Sequence, residues 1–140
     1  MAIYSPIKKI FNWQLANEKI QQPPYKVYTA LLTQTGTDAP VATVLENTLG
    51  NVVWTRDNLG IYVGTSSGSF TENKTIIPPF DPVGYTILPI WNSSVADIYY
   101  SFYRNSVNEV KLSIFDSTGG QVELSSISDF SPLIEIRVYN

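Results

Sequence analysis

The sequence predicts a single all-β domain, an antiparallel β-sandwich or jelly-roll-like barrel, with an N-terminal arm in front of it. Apolar and polar residues alternate with a period of two in five separate segments after Pro24, the pattern of strands with one buried face. Turn residues separate these segments at the spacing of roughly 8–12 residues common in sandwiches and barrels. No stretch after Pro24 keeps a 3.6-residue period long enough for a helix of more than two turns, so the expectation is at least seven strands.

The first element is the arm. Pro23-Pro24 fixes two φ angles and removes two backbone donors, so no regular element passes through it. The chain therefore divides into residues 1–24, the arm, and residues 25–140, the domain. Ser5-Pro6 reads as an N-cap followed by proline at the first helical position. Ile7, Ile10, Phe11 and Leu15 then fall on one stripe of a short helix, with Trp13 beside it. A helix this short is marginal alone in water. Its apolar groups gain stability only by docking, on the domain's own sheet or on a neighbouring subunit, and the neighbour is the expected surface.

The strands follow in order. Val27, Thr29, Leu31 and Thr33 alternate with Tyr28, Ala30, Leu32 and Gln34. The turn Thr35-Gly36-Thr37-Asp38 leads to Val41–Leu45, and Thr48–Asn51 leads to Val52–Thr55. Asp57-Asn58-Leu59-Gly60 joins that run to Ile61–Val63 as a hairpin. Gly64-Thr65-Ser66-Ser67-Gly68 reads as a polar hairpin tip, and it lacks the Gly-Lys-Ser/Thr ending of a phosphate loop. Thr75–Ile77 and Tyr85–Ile90 flank a proline-rich corner. Ile98, Tyr100 and Phe102 share one face, as do Val110, Leu112 and Ile114. Thr118-Gly119-Gly120 turns the chain into Gln121–Leu124, and the last strand points Ile134, Ile136 and Val138 inward.

Composition narrows the chemistry. Among 140 residues there is no cysteine and no histidine. Thiolate zinc sites and disulfides are excluded, and the commonest general base and metal ligand is missing. No metal, no organic cofactor and no enzymatic activity are expected. The net charge of −3 lacks the basic excess of nucleic-acid binders. Met1–Phe11 has no apolar core of the kind found in a cleavable signal, and no run is long enough for a membrane helix, so neither nucleic acid nor membrane is expected as a partner.

The carboxylates Asp57, Asp81, Asp97, Asp116 and Asp129 sit at turns or outward positions and read as solvated groups. Ser5-Pro6-Ile7-Lys8 matches a Ser-x-x-Lys spacing but lies in the arm, where nothing builds a pocket around it. Asn73-Lys74-Thr75 and Asn92-Ser93-Ser94 match the glycosylation spacing and carry no further argument without a secretory signal. Aromatic residues are plentiful at 13%. By alternation Tyr99, Tyr103, Phe115 and Tyr139 point outward. Three readings stand for them: core beneath a second sheet, a protein interface, or a glycan platform.

The stretch Tyr25–Thr37, continuing through Ala39–Gly50 to Trp54-Thr55-Arg56 and Gly60-Ile61-Tyr62, resembles a segment of small virion structural proteins of tailed bacteriophages and of proteins of marine viruses. The resemblance covers only Tyr25–Tyr62 and includes no catalytic signature. It implies a structural part of a virus particle, assembled in the host cytoplasm: a capsid decoration, a head fibre or a tail component. Such a part implies other virion proteins and further copies of itself as partners. The expected contacts are Ile7, Ile10, Phe11, Trp13 and Leu15 of the arm with Tyr99, Tyr103, Phe115 and Tyr139 of the sheets. The alternative is a carbohydrate-binding module at a fibre tip that recognises host-surface glycans.

Overall fold

The computed structural model describes residues 23–78, 88–90 and 98–140. Two antiparallel sheets pack face to face as a sandwich. The strands are β1 (Tyr25–Thr33), β2 (Val41–Asn47), β3 (Val53–Asn58), β4 (Ile61–Thr65), β5 (Thr75–Ile76), β6 (Leu88–Ile90), β7 (Ile98–Arg104), β8 (Glu109–Asp116) and β9 (Leu133–Tyr139). One sheet has the order β2-β1-β9-β5 and the other β3-β4-β8-β7-β6. The only helical element among the described residues is a single 3₁₀ turn, Leu124–Ser126.

Alternation sets which groups enter the core. Tyr28, Ala30 and Leu32 of β1 and Ile134, Ile136 and Val138 of β9 face inward from the first sheet. Trp54, Tyr62, Ile98, Phe102, Val110, Leu112 and Ile114 meet them from the second. β9 runs beside β1 from Tyr25↔Tyr139 to Leu31↔Leu133, so the two ends of the domain lie in adjacent strands. A polar contact crosses the core, where Trp54 Nε1 donates to the Tyr28 hydroxyl at 3.2 Å. Burial pushes the Tyr28 phenol above its ordinary pKa, against the opposing effect of that indole bond.

The hairpin expected at residues 57–60 is present, with Asn58 opposite Ile61 and Leu59-Gly60 at the tip. Gly60 is required there. Its φ is +62°, and a Cβ would sit 2.6 Å from Val122 O and 2.7 Å from Ile114 O.

Two local expectations are corrected. The Gly64–Gly68 stretch is not a hairpin tip: Gly64 and Thr65 end β4, and the polar loop from Ser66 to Ser69 leads to a strand of the other sheet. That loop is a crossover, tied to the β7–β8 turn by Ser66 N–H to Asn108 O at 2.9 Å and Phe70 N–H to Val107 O at 2.9 Å. Those bonds carry Phe70 into the core, fully buried. Likewise, Gln121–Leu124 does not form a strand; it makes one isolated bridge, Phe115↔Gln121, and then the 3₁₀ turn. Glu123, at the start of that turn, is bound through its side chain by Arg56 and Tyr62.

Candidate interaction surfaces

The structure separates the four outward aromatics onto opposite sides of the sandwich. Tyr99, Tyr103 and Phe115 lie on the outer face of the β3–β6 sheet, Tyr139 on the outer face of the other. None belongs to the buried core, and each is half-buried. Tyr99 and Phe115 pair across β7 and β8, with rings 6.0 Å apart and 20° from parallel. Tyr103 stands beside Lys111 on the same face. Offset-stacked rings of this kind are fixed in place before any partner arrives.

Tyr139 has a different setting. Its ring lies 5.2 Å from Tyr25, tilted by 52°. The Arg137 guanidinium sits over the Tyr25 ring, 5.1 Å from its centre, and its Nε donates to Glu135 Oε1 at 2.6 Å. That bond to Glu135 holds Arg137 above its ordinary pKa. The result is a surface of two rings, one cation and one carboxylate. The arm residues Ile7, Ile10, Phe11, Trp13 and Leu15 lie outside the described residues, as do Asp81, Asp97 and Asn92. Asp57 is exposed, 3.5 Å from Lys111 Nζ, and Asp129 and Asn73 are exposed.

Asp116 is explained by its turn. Its Oδ1 accepts from Thr118 Oγ1 at 2.6 Å, Thr118 N–H at 2.8 Å and Gly120 N–H at 2.8 Å. The Thr118 hydroxyl bond first, then the backbone donors, hold this carboxyl below its ordinary pKa.

Sequence reasoning missed the polar cluster that joins β3, β4 and the 3₁₀ turn. Glu123 is buried and accepts from Arg56 Nε at 2.8 Å through Oε1, which also takes the Arg56 Nη2 contact. The fully buried Tyr62 hydroxyl accepts from Leu124 N–H at 2.8 Å. Its single proton lies between Glu123 Oε2 at 2.8 Å and Gln34 Oε1 at 2.7 Å. Gln34 is oriented by donating from Nε2 to Asp38 O at 2.9 Å. Burial raises the Glu123 pKa, but the bonds from Arg56, Tyr62 and Gln34 together outweigh it and leave it lowered. Burial first, and then the neighbouring carboxylate, push the Tyr62 phenol far up. A carboxylate kept ionised beside a tyrosine kept protonated exchanges no proton near neutral pH. The cluster works as a strut. No period or motif announces it, because its members are separated by up to 89 positions, Gln34 to Glu123.

Sequence reasoning also missed the exposure of β2. Val41, Val44 and Leu45 are 65%, 49% and 58% exposed, and Leu133 of β9 is 53% exposed. Leu133, Leu31 and Thr43 form one row across the outer face of the sheet, with Val41 and Leu45 on either side of Thr43 along β2. An open depression of about 450 Å³ lies between Asn51 and Val53 on one side and Thr65, Ser66 and Ser69 on the other. It offers neither a ring nor a charged group, and its Ser66 and Ser69 hydroxyls bond each other at 2.7 Å. No group of three or more acidic side chains is placed to hold a metal ion among the described residues. No family model matches the chain, no curated protein matches it, and no solved structure matches it.

Proposed function

We propose that the chain is a structural, non-enzymatic component of a virus particle that holds neighbouring protein subunits. The observation that carries the binding part is the stacked Tyr99–Phe115 pair, half-buried on an outer sheet face. Rigid aromatic area loses little conformational entropy on association, which is why Tyr and Phe are enriched in protein interfaces. The arm supplies a second anchor through Ile7, Ile10, Phe11, Trp13 and Leu15. The virion setting rests on the resemblance of Tyr25–Tyr62 to phage structural proteins. Head or tail position follows from the partner, not from this chain.

The test has two arms. Mass spectrometry of particles freed of soluble protein should find this polypeptide at fixed copy number, and its absence refutes the virion reading. Tyr99→Ala with Phe115→Ala, and separately Ile10→Asp with Phe11→Asp, should each weaken incorporation while the β circular dichroism is kept. A second reading, recognition of a host glycan, is favoured by one place only: Tyr25, Tyr139, Arg137 and Glu135 combine ring faces with paired polar groups. Retention on a glycan array that is lost with Tyr139→Ala selects that reading.

A further inference from the structure

A sheet that ends in open strands carries a hazard, since each outer strand offers unpaired backbone donors and acceptors to any chain that fits. Among the described residues the two sheets have four edges, and three of these are blunted. β5 is two residues long. β6 is three residues long and contains Pro89, which has no N–H to give. β3 carries Arg56 and Asp57 and is bulged between Arg56 and Asn58.

β2 is the exception. It runs for seven residues, pairs on one side with β1, and has no strand on its other side among the described residues. Every residue of it except Ala42 is exposed. From Val41 to Leu45 it has no charge, no proline and no glycine. A bulge at Leu45 and the charge of Glu46 come only at its far end.

We infer that β2 is the seam at which two copies of this chain pair, antiparallel and edge to edge, joining their four-stranded sheets into one of eight. This contact is separate from the outward aromatics, and it stands whether or not the protein belongs to a virus particle.

The register follows from the sequence of the strand. For the two outer faces to lie on one side, the two-fold axis must pass through a residue, not between two. Centred on Thr43, the axis sets Ala42 against Val44 of the second copy and Thr43 against itself, with Val41 beside the bulged Leu45 at each end of the seam. Apolar groups then meet apolar groups on both faces, with a Thr–Thr pair at the centre. Centred on Ala42, Val41 faces a threonine and Val44 faces Pro40. Centred on Val44, Ala42 faces Glu46 and Val41 faces Asn47. Only the Thr43 centre matches the strand to itself.

Charge agrees. In that register the two Glu46 side chains are six positions apart along the seam, roughly 20 Å. That exceeds the screening length of about 8 Å at physiological salt, so they do not oppose the pairing.

The absence of cysteine gives a direct test on the full-length chain. Opposed residues in an antiparallel pair have Cα atoms about 4.5–5.5 Å apart, within disulfide reach. Thr43→Cys should therefore cross-link to its own copy under mild oxidation. Val41→Cys should not, since its twin lies four positions away, roughly 13 Å. Sedimentation of the wild type should give about twice the 15.6 kDa chain mass. Thr43→Lys, which sets two like charges face to face at an exposed position, should return it to one chain mass while it keeps its β circular dichroism and melts cooperatively, at a temperature that no longer rises with protein concentration. A wild-type mass of one chain from micromolar to millimolar concentration overturns the proposal. So does a Thr43→Lys protein that is folded and still dimeric, or equal cross-linking through Val41→Cys and Thr43→Cys. If Thr43→Lys fails to fold, the pair of cysteine variants still decides the matter.

Discussion

The Tyr62 hydroxyl serves three partners with one proton, and its removal shows what the strut is worth. In Tyr62→Phe the buried Leu124 N–H loses its acceptor, a loss of about 1–3 kcal/mol, measured by urea denaturation. Glu123 adds a pH dependence. Its folded pKa lies below the unfolded value, which is about 4.3. Its stabilisation is therefore complete above that unfolded value and is lost as pH falls through the lower folded one. Glu123→Gln should lower the melting temperature by several degrees at neutral pH and flatten the acid limb of a melting-temperature profile. An acid limb as steep as that of the wild type would show that other carboxyls carry it. At the hairpin tip, Gly60→Ala must put a side chain into a left-handed conformation, which costs about 1–2 kcal/mol, and must also displace the Ile114 and Val122 carbonyls. Gly68 also has a positive φ but has open space around it. Gly68→Ala should thus cost the conformational part alone, and thermal melts of the two variants should differ clearly.

Strands differ in what a methyl group is worth. β8 lies between β4 and β7, and its Ile114 is fully buried. Ile114→Ala should cost about 2–5 kcal/mol by chemical denaturation. Among the described residues β2 has a strand on one side only, and Val44 is 49% exposed. Val44→Ala should change monomer stability by less than about 0.5 kcal/mol. If the second value approached the first, β2 would be part of the closed core and not an open edge. This contrast was hidden from sequence reasoning. Val41-Ala42-Thr43-Val44-Leu45 is apolar on both faces, a pattern that ordinarily marks a strand covered on both faces, and here it belongs to the outermost strand of its sheet.

Across the molecule, β9 closes the fold by lying between β1 and β5. Tyr25 pairs with Tyr139, so the loop joining these strands spans nearly the whole domain. Folding should accordingly fall in the millisecond-to-second range typical of sandwiches, by stopped-flow refolding. Deleting Leu133–Asn140 removes Ile134, Ile136 and Val138 from the core and the partner of β1, and should leave a chain without a cooperative melt. A truncated chain that still melts cooperatively would mean the two sheets are held without β9.

The residues alone indicate the class of the fold, most of the strands, and which side chains of β7, β8 and β9 turn inward; for β1 they show the alternation but not which set is buried. They do so because alternation is local: two neighbouring residues on a strand must point to opposite faces, whatever the rest of the chain does. They also place the 57–60 hairpin, since a turn is made by the residues within it. Tertiary structure decided the rest. Whether an outward ring belongs to one outer face or the other depends on which sheet its strand joins, and strand order is set by pairings between residues as far apart as Tyr25 and Tyr139. The Arg56–Glu123–Tyr62 strut exists only because β3, β4 and the 3₁₀ turn converge. The edge position of β2 among the described strands is a matter of strand order, which no local pattern records.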